Sequence, residues 1–222
     1  MKKVILILLL FAATIANAQK DVTKFLGIPV TGTKTAMIQK LKAKGFRYNS
    51  TRDYLSGEFN GGKVRVHVVT DNNKVSRIMV EDAYASREGE IKIRFNQLCD
   101  QFEKNAKYMS ATMSPTGNRI PNSENISYEM LVNGKRYESA YYQLPEVIDT
   151  VAVEKARRLL LTKHKDEISN ATKEQQMEWG IEALGAMVKK KSVWFMINEY
   201  LGEYRILMYY DNEYNRPNGE DL

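Results

Sequence analysis

Apolar residues recur along this chain with two periods, and each change of period marks an element boundary. Met37, Ile38 and Leu41 share one face of a predicted helix that Thr33 or Thr35 is placed to cap, and Gly45 fits its left-handed stop. The period then drops to two. Strands are expected at Phe46–Asn49, Tyr54–Phe59, Val64–Val69 and Val75–Val80. Asn60-Gly61-Gly62 and Asp71-Asn72-Asn73 are tight-turn sequences, so these strands should form an antiparallel meander.

A longer helix is expected from about Glu88 to Lys107, with Ile91, Phe95, Leu98 and Phe102 on one stripe and Cys99 at its border. Pro115, Gly117 and Pro121 predict a loop over Met109–Asn125. Asn133-Gly134 predicts a hairpin between Ser127–Val132 and Lys135–Gln143. Two further helices are expected, from about Thr150 to Lys165 and from Thr172 to Lys190. Thr172 and Gln175 have capping-box spacing in the second. Val193–Tyr200 and Glu203–Tyr210 close the series as a hairpin turned at Leu201-Gly202. Phe195 and Ile197 lie on one face of its first strand and Trp194 and Met196 on the other, so the pair is expected inside the sheet rather than at its edge.

This order has short joins between neighbouring strands and few parallel crossovers. It predicts an α+β fold, a mainly antiparallel sheet built from hairpins with helices packed on one face. A faint echo among the three hairpins leaves two similar subdomains, 19–108 and 109–222, as an alternative to one domain.

The first 18 residues stand apart. Lys2 and Lys3, the apolar run Val4–Ile15 and Ala16-Asn17-Ala18 have the three-part form of a secretory signal cleaved before Gln19. The apolar run is too short to span a bilayer, so no integral membrane segment is expected after cleavage. No Cys follows the cleavage site to carry a lipid, and the expected address is periplasmic or extracellular. Removing Lys2 and Lys3 from 33 basic residues leaves 31 against 27 acidic ones, a net charge of +4. That is too mild and too dispersed to favour nucleic acid. One cysteine excludes an intrachain disulfide, so the apolar core must hold the fold alone.

Four stretches carry a resemblance: Phe25-Leu26-Gly27-Ile28-Pro29-Val30 with Gly32-Thr33-Lys34, Met37 to Phe46, Arg94 to Cys99, and Tyr209 to Asn215. They resemble a family of uncharacterised secreted proteins of Gram-negative gut anaerobes (Bacteroides-type), over the whole of 19–222. The resemblance implies an address and no activity. A Gly-Thr helix running directly into antiparallel strands is also similar to the β-lactamase-inhibitor-protein-like fold and to small lipoproteins of outer-membrane assembly, from which the missing lipid-bearing Cys departs.

Candidate chemistry is sparse. His67 sits in an alternating strand and His164 between two lysines near a helix end, where surface roles suffice for both. One Cys and two separated His leave no ordinary zinc set, no phosphate loop or nucleophile elbow occurs, and neither metal nor cofactor is expected. Catalytic residues are therefore expected to be none. Carboxylates are the one remaining catalytic material, and Glu199, Asp211 and Glu213 near the last hairpin keep a carboxylate-dependent glycan hydrolase as the alternative. The leading expectation is a non-enzymatic module that binds a protein or glycan partner. Its candidate platform is Trp194, Tyr200, Tyr204, Tyr210 and Tyr214, since rings with polar tips suit both kinds of partner. Asp149-Thr150-Val151 also resembles the short acceptor pattern for periplasmic O-glycosylation at Thr150 in such anaerobes.

Overall fold

The structure, a computed structural model, describes residues 21–111, 119–145, 150–165, 167, 170–172, 175, 179 and 191–215. The predicted signal and most of the expected Thr172–Lys190 helix lie outside the described residues. Of that helix the capping box is seen, with Gln175 N–H donating to Thr172 Oγ1 at 3.2 Å and Thr172 N–H to Gln175 Oε1 at 2.9 Å. One turn on, Trp179 is helical and buried, its ring stacked on His164 with centroids 3.9 Å apart.

The fold is α+β. A small hairpin, β1 (Lys24–Phe25) and β2 (Ile28–Pro29), precedes helix α1 (Lys34–Ala43). The meander follows as β3 (Arg47–Asn49), β4 (Tyr54–Phe59), β5 (Gly62–Asp71) and β6 (Lys74–Asp82). Then come α2 (Glu88–Lys104), β7 (Tyr108–Ser110), α3 (Ile126–Leu131), β8 (Glu138–Gln143), α4 (Thr150–Lys163), β9 (Ser192–Tyr200) and β10 (Glu203–Asp211). Eight strands form one antiparallel sheet in the order β3-β4-β5-β6-β10-β9-β8-β7. The last hairpin is therefore central, as its two apolar faces predict.

Local chemistry accounts for most boundaries. Thr33 Oγ1 accepts from Ala36 N–H to start α1, and Gly45 stops it at φ 95°. Helix α2 ends three residues before the expected Lys107, because the Asn105 side chain and carbonyl take the N–H groups of Lys107 and Tyr108. Leu201 and Gly202 both have positive φ, 54° and 78°, the two-residue turn that matches strand twist.

The expected Ser127–Gln143 hairpin is not formed. Ile126–Leu131 is helical: the Asn125 side chain accepts from Tyr128 N–H at 2.9 Å, and Glu88 binds Ile126 N–H and the Ser127 hydroxyl. Asn133-Gly134 ends that helix instead of turning a hairpin, with Gly134 at φ 63° and the Asn133 and Lys135 N–H groups both returning to the Glu129 carbonyl. An Asn-Gly pair serves either purpose, and the cap at Asn125 together with the helix-forming Glu129, Met130 and Leu131 decides it. Strand β8 pairs with β9 and β7 instead.

Helices α1, α2 and α3 pack on one face of the sheet, where Met37, Leu41, Ile91, Phe95, Leu98 and Ile126 join Val66, Ile78, Phe195 and Met208 in a single core. Residues 21–32 are laced across the strand ends. The fully buried Thr23 donates from its hydroxyl to the Asp211 carbonyl at 2.5 Å, and Asn212 Nδ2 donates to the Val30 carbonyl at 2.6 Å. Val75 N–H reaches the Gly32 carbonyl at 2.8 Å.

Candidate functional site

Strict alternation sends every second residue of the central strands to the other face of the sheet, away from these three helices. Register aligns His67 with Met79, Met79 with Tyr209, and Tyr209 with Trp194, in a row across four strands. A second row aligns Arg65, Glu81, Leu207 and Met196. These side chains are half-buried, apart from the more deeply set Tyr209.

The Trp194 and Tyr209 rings stack with centroids 4.1 Å apart and planes 21° from parallel. The Arg77 guanidinium lies 4.7 Å from the Tyr209 centroid and 5.5 Å from that of Trp194. Asp211, 1% exposed, locks the group: it accepts from Arg77 Nη2 at 2.9 Å and Nε at 2.5 Å, and from Trp194 Nε1 at 2.9 Å. The carboxylate beside it raises the Arg77 pKa above its already high value, and burial raises that of Tyr209. Each ring-ring or cation-ring contact contributes about 0.5–1.5 kcal/mol, so the larger effect is to hold the indole in one position.

Trp194 is thereby presented to a hollow of about 300 Å³ that it lines with Arg136, Glu138, Ser139 and Ala140. Ala140 stands opposite Trp194 in the β8–β9 register, and its small side chain leaves the space open. Arg136 and Glu138 pair at 2.9 Å, which puts donors and acceptors at the rim. Further along the same face, Glu81 lies between Arg65 at 3.5 Å, His67 at 3.7 Å and Arg205 at 3.9 Å. Three basic side chains thus surround one carboxylate, and Tyr54 flanks them, its ring 5.9 Å from both His67 and Arg65.

The five aromatic residues chosen from sequence do not gather. Trp194 is at this site. Tyr204 and Tyr210, at 2% and 4% exposure, face the helices and belong to the core. Tyr200 is exposed beside the β9–β10 turn, and Tyr214 lies in a short 3₁₀ turn after β10. The spacing signal that separates them is parity: in β10, Tyr209 alone among the tyrosines shares the Trp194 face. Arg77 and Tyr54 were not legible, because only the pairing of β6 with β10 and of β4 with β5 brings them there.

The three candidate carboxylates are each engaged in the fold. Glu199 accepts from Gly202 N–H at 2.7 Å, Asp211 holds Arg77 and Trp194, and Glu213 accepts from the Ser192 hydroxyl at 3.2 Å. None of them lines the hollow. Cys99 is buried in the core, and burial raises its thiol pKa. No group of three His, Cys, Asp or Glu positioned for a metal occurs among the described residues. Thr150 opens α4 as its first helical residue, and its side chain lies outside the described ones. No helix among the described residues is long and apolar enough to cross a membrane. No protein-family model matches the chain, and comparison with curated proteins and with solved structures returns no match.

Proposed function

We propose that this chain is a secreted, non-enzymatic binding module that takes a glycan on the second sheet face, with Trp194 as the stacking wall. The observation that carries the reading is the hollow against the indole, rimmed by the Arg136–Glu138 pair and left open by Ala140. A flat ring beside paired donors and acceptors suits a sugar, whose C–H face is apolar and whose hydroxyls both donate and accept. The leader read at residues 1–18 supports an extracytoplasmic address.

Screening the purified chain on a glycan array should yield a binder that Trp194→Ala weakens at least about tenfold, with Tyr200→Ala neutral. A folded Trp194→Ala protein that binds as well as the parent would overturn this reading. A second reading, an acidic protein partner, is favoured by the three basic groups around Glu81. It predicts binding that collapses with salt and with Arg65→Gln while Trp194→Ala matters little.

A further inference from the structure

A separate cavity of about 650 Å³ opens on the helix side of the sheet, away from the Trp194 face. Segments remote in sequence build it: the β1–β2 turn, the end of β4, the last turn of α2, and strands β7, β8 and β10. Its floor is aromatic. Phe102 and Tyr108 meet edge to face at 4.8 Å, Phe59 and Tyr210 at 6.4 Å, and Phe59 and Tyr108 are each only partly covered by the core. A volume of this size is in the range of small-molecule sites, and here an aromatic floor lies under a largely polar rim.

The polar groups at the rim select the ligand. Lys24 and Lys107 line the mouth against a single acid, Glu58, so the balance there is positive. Lys107 makes no ion pair among the described residues. The Tyr108 hydroxyl accepts from Gln143 Nε2 at 3.4 Å and is hydrogen-bonded to the buried Tyr210 hydroxyl, a pair in which either oxygen can donate. With Tyr210 as the donor of that pair, Tyr108 offers its own proton to whatever fills the cavity. Gln143 is fixed in turn, bonded through its amide to both the N–H and the carbonyl of Lys24 at 2.7 and 3.2 Å. The rim is thus braced before any ligand arrives.

We propose that this cavity binds a small carboxylate with an apolar body, the body on the ring floor and the carboxylate between Lys107 and the Tyr108 hydroxyl. The site is independent of the sheet-face reading. Aryl and alkyl acids share this chemistry, and the rings of the floor favour the aryl form.

Titration of the full chain with 3-phenylpropionate and with decanoate, followed by calorimetry and by the NMR signals of the lining rings, tests it. At least one acid should bind, about tenfold tighter than 3-phenylpropanamide. Binding should weaken by a similar factor in Lys107→Glu, an exposed substitution that leaves the core intact, and in Tyr108→Phe. Trp194→Ala should leave it unchanged, which separates this site from the glycan surface. Stronger binding by 3-phenylpropionate assigns an aryl ligand, and stronger binding by decanoate an alkyl one. No binding by either acid at 10-millimolar order, equal binding by the amide, or binding that survives Lys107→Glu and Tyr108→Phe together would overturn the proposal.

Discussion

At the scale of single residues, parity along a strand separates the aromatics of the second sheet face from the core-facing ones better than their density does. Trp194 and Tyr209 stand on one side of the last hairpin and Tyr204 and Tyr210 on the other, although all four lie in one aromatic-rich stretch. The alternation was readable, but which side the helices cover was not, because that follows from long-range packing. Gly57 makes a similar point. In sequence it is one of three glycines near a turn, whereas in the fold it is inside β4 with the Phe46 ring lying on it. An added Cβ would come within 2.4 Å of Phe46 Cδ1, so the buried Phe46 ring must shift to admit it. Gly57→Ala should therefore cost about 1–3 kcal/mol, read as a lower urea midpoint at unchanged slope. A parent-like midpoint would mean that Phe46 shifts freely.

Elements were legible where one local signal acted alone. The cap at Thr33 or Thr35 with the stop at Gly45, the stripe of α2 and the turns of the meander each pointed to one kind of element, and those elements are present, with Thr33 the residue that caps. Asn133-Gly134 carried two meanings, and the reading failed there. A capping asparagine eight residues upstream was the competing signal, strengthened by Glu88, whose side chain binds the start of α3 from another element. That last contact is tertiary and leaves no trace in the local pattern. Asn125→Ala should destabilise the protein by about 1 kcal/mol, with hydrogen exchange accelerated selectively at the Tyr128 and Glu129 amides. If those amides keep their protection, the cap does not hold the helix and packing of Ile126 does.

For the whole molecule, charge ties separate segments together and sets how stability depends on pH. Lys34 and Tyr48 lower the pKa of Asp53, Arg119 lowers that of Asp100, and Lys135 and Tyr137 lower that of Glu124. A lowered folded value stabilises above the unfolded value of about 4, and that stabilisation is lost as pH falls through the folded values. Burial raises Tyr108, Tyr141 and Tyr210, so the folded state also loses ground as pH rises above about 10. Urea midpoints should be highest between these limits and fall on both sides, and a flat acid limb would show that the carboxylate pairs are idle. The fold class was legible in the order of elements, while the strand order was not, since nothing local says that β10 pairs with β6. That pairing governs assembly. Among the described residues β10 is the last strand in chain order, and it lies between β6 and β9, which are joined in the sheet through it. Closing this contact between segments remote in sequence is expected to be a slow step of folding, since the chain entropy of bringing them together is met before the pairing rewards it.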